Sequence, residues 1–225
     1  MCTSYKAGKD IDLRALFDVE PPASEWSEDI YKDYEAPIIL RNQYGVREAR
    51  LATFGLIPRR QIPEGAKVFD TMNCRTETIA LKRSFSGAWR ASQLCLIPCK
   101  AFYEPSYETG RAVRWRIGMA DGRPFAIAGL WRAWSEPERI ALSFTMLTVN
   151  ADGHPLMGRF HKPGTEKRSV VIVPPTQYEE WLACRDTEQA RTFFALPRAD
   201  EMAAQAAPLR VPTSKGTDNL TLFDS

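Results

Sequence analysis

The chain is poor in histidine, with two in 225 residues, and it has no Cys-x-x-Cys pair, so the usual ligand sets of a zinc site are missing. No metal and no cofactor is expected. Its five cysteines are odd in number and irregularly spaced, with three residues between Cys95 and Cys99, which suits reduced thiols better than a disulfide framework. No apolar run approaches a membrane span, and the N-terminus passes directly to Lys6, Lys9 and Asp10 without the apolar stretch of a signal peptide. These absences predict a soluble, cytoplasmic protein without a membrane partner. Internal repeats and low-complexity blocks are also lacking, and 44% hydrophobic with 26% charged residues suits one main domain.

A net charge of +2 conceals an uneven distribution. Residues 1–40 carry four Lys/Arg and nine Asp/Glu, a balance of −5, whereas residues 41–100 carry eleven and four, a balance of +7. A basic middle segment suits a polyanionic partner; the alternative is a solvated surface with scattered charges.

Patterning along the chain predicts an α+β domain with a mostly antiparallel, barrel-like sheet and flanking helices, because short strands dominate and no regular βαβ alternation appears. DIDLRALFD reads as a short helix capped by Asp10, and the acidic PPASEWSEDIYKDYEAP stretch as a loop. PIILR, ARLATFG, KVFD, LCLIP, AFYE, VRWRIG, FAIAGLW, IALSFTMLTV and SVVIVP read as strands. TETIALKRSFSGAWR reads as a helix capped by Thr76, and PTQYEEWLACR and TEQARTFFAL are helical patterns. The domain is placed at 1–205, followed by a tail over 206–225 where periodicity is lost.

Four places carry candidate chemistry. Cys2 follows the initiator methionine, and its small side chain permits removal of Met1, which would put an amine and a thiol on one residue. Their reference pKa values are roughly 8 and about 8.5, so both nucleophiles are available near neutrality. In FDTMNCRTET, Asn73, Arg75 and Glu77 fall between a strand and a helix, where helix capping explains Thr76 and Glu77 but not Asn73 or Arg75. Glu104 follows two aromatic residues, a poorly solvating setting that suits a general acid, the alternative being a strand-end carboxylate in water. His154 and His161, in one loop, are the only histidines available for proton transfer near pH 7.

Taken in order, MC at the N-terminus, N-x-R-x-E-T, C-L-I-P-x-x-x-F-Y-E, T-x-x-A and a histidine followed by VIVPP resemble the SOS response-associated peptidase (SRAP) family over nearly the whole chain to about Trp181. The resemblance implies a protein that binds single-stranded DNA, captures abasic sites covalently and associates with the nucleoid. It implies Cys2 as nucleophile, Asn73 as the residue positioning the N-terminal residue or the sugar, Glu104 as acid/base group and His161 as the partner in ring opening and imine chemistry. Arg75 and Arg83 fall on positions that contact the DNA backbone, and Pro37 lies in the A-P pair of the same DNA-facing set. Lyase-like activity and self-processing that removes Met1 also follow from the resemblance. An N-terminal-cysteine peptidase or amidohydrolase is the alternative enzyme, and a nucleic-acid-binding module with an incidental Cys2 is the non-enzymatic one.

The chain departs from the family pattern at several points. Thr3 and Ser4 replace the usual Gly-Arg after Cys2, Glu35 stands where asparagine usually precedes Ala-Pro, and Arg59 and Arg60 stand where tryptophan is common, so ionic contacts to phosphate replace stacking there. The loop after His161 is longer, with PGTEKR before the SVVIVPP strand. In the tail, N-L-T-L-F resembles the Q-L-x-L-F pentapeptide that binds the bacterial replication sliding clamp, with Leu220, Leu222 and Phe223 as apolar anchors.

Overall fold

The long apolar runs fold into the staves of a closed barrel. The structure, a computed structural model, describes residues 2–209. In chain order its elements are β1 (Ser4–Ala7), α1 (Asp10–Phe17), β2 (Asp29–Tyr31), β3 (Glu35–Arg41), β4 (Arg47–Phe54), β5 (Asn73–Arg75), α2 (Arg83–Arg90) and β6 (Leu94–Ser106). These are followed by β7 (Val113–Met119), β8 (Phe125–Ser135), β9 (Ile140–Asn150), β10 (Arg168–Val170), β11 (Ile172–Val173), α3 (Tyr178–Ala183), α4 (Thr187–Ala190) and β12 (Met202–Ala206). Strands β8, β9, β4, β3 and β6 pair in that order, and β6 pairs back onto β8, closing a five-stranded ring. Only β4–β9 within the ring is parallel. The result is the expected α+β fold with a mostly antiparallel, barrel-like sheet.

Apolar residues continue without alternation along β6, β8 and β9 because both faces of the wall are covered. Ile38, Phe54, Ile97, Ile127, Phe144 and Met146 belong to the interior cluster. Their neighbours Ile39, Leu96, Ala128, Leu130 and Leu147 join Trp89 of α2 and Trp181 of α3 in a second, outer cluster. Trp181 also donates its indole N–H to the Cys95 carbonyl at 2.9 Å, pinning α3 to the barrel. Inside, Phe54 stacks on Phe144 with centroids 5.2 Å apart, and Tyr5 meets Phe54 edge-on at 5.5 Å. Closure demands one small residue: a Cβ at Gly129 would lie 2.8 Å from the Thr145 carbonyl oxygen and 2.9 Å from Cys95 Sγ.

Local chemistry explains where the structure departs from the sequence-based expectations. Helix α1 begins after Lys9, and the capping carboxylate belongs to Asp12, which accepts from the Lys9 N–H at 2.7 Å, rather than to Asp10. The helix expected over 76–90 forms only from Arg83, because Thr76 Oγ1 donates to the Thr148 carbonyl and Glu77 is engaged by Arg168. KVFD forms no strand; Val68 and Phe69 stay exposed with no ladder partner among the described residues. LCLIP and AFYE are halves of the single strand β6, and SVVIVP divides into β10 on β9 and β11 on β8. The acidic stretch expected as a loop contains β2, which pairs with β1. At the other end, β12 pairs with β7 through Ala206, one residue beyond the boundary expected for the domain. Leu220, Leu222 and Phe223 lie outside the described residues.

Candidate functional site

Strand β6 organises the site. On one of its edges, β1 pairs as far as Phe102, and further along the Phe160–Ser106 bridge and the His161 N–H donating to the Pro105 carbonyl at 2.8 Å begin. Glu104 lies in the interval, since β7 takes the opposite edge from Phe102 to Ser106. Cys2, just before β1, and His161 are thereby brought to the same carboxylate from two ends of the chain. His161 Nε2 lies 2.9 Å from Glu104 Oε2.

The third contributor arrives on β5, which pairs in parallel with β9 at Met146–Thr148. From there Asn73 Nδ2 donates to the Cys2 carbonyl at 2.7 Å. Asn73 thus holds the backbone of Cys2. Cys2, Asn73, Glu104 and His161 are all buried, with Cys2 wholly inaccessible and Glu104 2% exposed.

Burial, reinforced by the negative charge of Glu104, pushes the Cys2 thiol up to about 12. The thiol donates to the Ser4 carbonyl at 3.2 Å. This setting favours a neutral thiol over a standing thiolate.

The backbone at His161 is left-handed, with φ 65°, a conformation unusual for a residue with a side chain. It is held from both sides. The N–H goes to Pro105, and Lys167 Nζ donates to the His161 carbonyl at 3.2 Å. His154, the other histidine, is spent on structure: Nδ1 accepts from the Met157 N–H at 3.0 Å and Nε2 donates to the Pro197 carbonyl at 2.9 Å.

The remaining candidates occupy varied settings. Arg75, two residues beyond Asn73 on β5, pairs with Glu166. Arg83 is the exposed first residue of α2. Arg59 and Arg60 form a 3-10 turn after β4; Arg60 binds Glu136 at 2.8 Å and Thr53 at 2.9 Å, while Arg59 Nη1 donates to the Ile62 carbonyl at 3.3 Å. Pro37 is buried within β3 opposite Leu51. Sequence reasoning did not single out Arg168, Glu166 or Lys167. Their signal was the lengthened loop itself, whose residues turn back onto β5 and onto His161.

Among the described residues a twelve-stranded sheet is wrapped around a closed barrel, and this fold is shared with solved structures. The profile of the SOS response associated peptidase (SRAP) family matches residues 1–213, and the chain belongs to that family. A protein from Bordetella bronchiseptica is 35% identical, with a TM-score of 0.82 over 92% of this chain and 100% of its own. One from Bacteroides thetaiotaomicron is 18% identical (TM-score 0.72; 91% of each chain), and a phage-related protein of B. bronchiseptica is 16% identical (TM-score 0.63; 92% and 93%). The latter two share the fold. Comparison with curated proteins gives no significant match. Membership supports a DNA damage-related role for this chain.

Proposed function

We propose that the protein, once Met1 is removed, binds single-stranded DNA and captures abasic sites covalently through Cys2. The observation that carries this reading is the convergence of Cys2, its carbonyl held by Asn73, on the Glu104–His161 pair. A free Cys2 amine attacks the aldehyde carbon of the ring-opened sugar and forms a carbinolamine. Protonation of its hydroxyl by the Glu104–His161 pair releases water and leaves an imine, and the Cys2 thiol then adds across the C=N bond, its proton passing to nitrogen. One water is lost overall, and the product is a five-membered thiazolidine. Asn73 contributes by fixing the attacking residue.

The neutral thiol favours this sequence over hydrolysis by an N-terminal-cysteine peptidase or amidohydrolase, which needs a thiolate to attack an amide. The test mixes Met1-processed protein with an oligonucleotide containing one abasic site and resolves the mixture on a denaturing gel. A heat-stable shifted band that requires both Cys2 and the abasic site is expected. No band from protein with a mass-verified free Cys2 would discard the reading and bring amide hydrolysis forward.

A further inference from the structure

One half-buried carboxylate outside the Cys2 cluster collects donors from three elements. Glu166, in the loop after His161, pairs with Arg75 Nη2 of β5, accepts from Arg168 Nη1 of β10 at 2.7 Å, and accepts from Asn150 Nδ2 at the end of β9 at 3.1 Å. Arg168 is built in. It is 4% exposed, binds both oxygens of Glu77 at 2.9 Å and donates to the Thr148 carbonyl at 2.6 Å. Its Nε is buried with no hydrogen-bond partner among the described residues. By contrast, the Arg75 and Glu166 side chains are 45% and 32% exposed, so solvent reaches the carboxylate. Hydrogen bonds led by that from Arg168 hold the Glu166 carboxyl below its ordinary range, so it is ionised at neutral pH.

Two guanidinium groups and an amide converging on one anion form the donor arrangement that takes phosphate as readily as carboxylate. Arg75 lies two residues from Asn73 on one strand, so the two side chains share a face about 6.6 Å apart along it. A backbone phosphate next to a sugar seated at Cys2 would therefore meet the very donors that Glu166 occupies.

We propose that Glu166 is a built-in competitor of the DNA backbone: its carboxylate fills the Arg75–Arg168–Asn150 subsite in the free protein, and a strand binds by displacing it with a phosphate. This rests on the reading of the protein as a single-strand binder and adds the residue that sets its affinity for intact strands. Displacement lowers affinity for every strand alike and leaves the capture chemistry untouched.

The experiment measures binding of an undamaged fluorescent single strand by anisotropy across a salt series, and the saturating rate of abasic-site capture in parallel. Glu166→Gln is compared with wild type, with Glu20→Gln, which removes the same charge from the exposed Arg14–Glu20 pair, and with Glu166→Gln in an Arg75→Gln background. Glu166→Gln is expected to tighten undamaged-strand binding roughly three- to tenfold at low salt. It should also steepen the slope of log K against log[salt], because in wild type the displaced carboxylate takes up a cation that offsets part of the counterion release. The saturating capture rate stays at the wild-type value, and the gain disappears in the Arg75→Gln background. Affinity and slope that match Glu20→Gln, or weaker binding, overturn the competitor proposal while wild-type capture keeps the functional reading. Absence of capture by wild type discards that reading, and the salt series still decides whether Glu166 competes with phosphate.

Discussion

Asn73 Nδ2 and the Cys2 carbonyl oxygen meet at 2.7 Å, joining residues 71 positions apart at the point where β5 approaches the N-terminus. The bond lies in a buried setting, and it fixes the backbone from which both the amine and the thiol of Cys2 project. Asn73→Asp puts an acceptor against the carbonyl and is expected to slow capture about 10–100-fold, more than it weakens strand binding. Asn73→Ala loses the hydrogen bond and about 1 kcal/mol of stability. Capture time courses and urea unfolding measure the two effects; an unchanged capture rate in both variants would mean that Asn73 serves stability alone.

Left-handed geometry at His161 allows its imidazole and its backbone to be tested apart. Asparagine tolerates this conformation and β-branched residues do not. His161→Asn is therefore expected to keep near-native stability and to lose about 100-fold in capture rate, as for removal of an acid–base group. His161→Val loses the same activity and at least about 1 kcal/mol of stability. Equal thermal midpoints for the two variants would contradict the strained backbone, and near-native capture by His161→Asn would remove the imidazole from the chemistry.

Burial of the thiols sets an alkaline limit. Burial raises Cys2 to about 12, and Cys74, Cys95 and Cys99 also rise above the ordinary thiol value. An unfolded thiol titrates near about 8.5, so above that pH the unfolded chain holds fewer protons than the folded one. Stability from these groups is complete below about pH 8.5 and is lost as pH rises toward the folded values. The urea midpoint is expected to fall steadily from pH 8 to 10.5, less steeply in Cys2→Ala. A flat profile would refute the burial of neutral thiols.

At Gly129, Ala should be costly although the φ angle is ordinary. The added Cβ meets the Thr145 carbonyl and Cys95 Sγ inside 3.0 Å, and the backbone oxygen belongs to a barrel strand that cannot retreat alone. Gly129→Ala is expected to lose about 1–3 kcal/mol by overpacking. A denaturant midpoint equal to wild type would show that the β6–β8–β9 seam is looser than the structure indicates.

Much of the barrel was legible because its strands carry uninterrupted apolar runs, as at β8 and β9, and a strand of that kind needs cover on both faces. Local signals failed where a distant partner claimed the side chains. Thr76 and Glu77 look like helix caps, yet Thr148 and Arg168 bind them and the helix begins seven residues after Thr76. KVFD has the composition of a strand, but pairing requires a free neighbouring edge, and composition says nothing of that. The candidate residues Cys2, Asn73, Glu104 and His161 were readable as a set through motif order and family resemblance, whereas Glu166 and Lys167 belong to a loop whose length alone marked it.

By itself, the sequence determined the α+β class, the basic middle segment, a cysteine placed where removal of Met1 would free its amine, and two histidines and a glutamate after aromatic residues as the candidates for acid–base chemistry. Those are properties of residue type and spacing, which act locally. The tertiary structure alone decided that β1, β5 and the His161 loop meet around Glu104, that His154 is consumed by the Pro197 carbonyl and the Met157 N–H, and that Arg75 faces Glu166. Each of these depends on which strand edges remain open once the barrel closes, and that is settled by pairing between segments far apart in the chain.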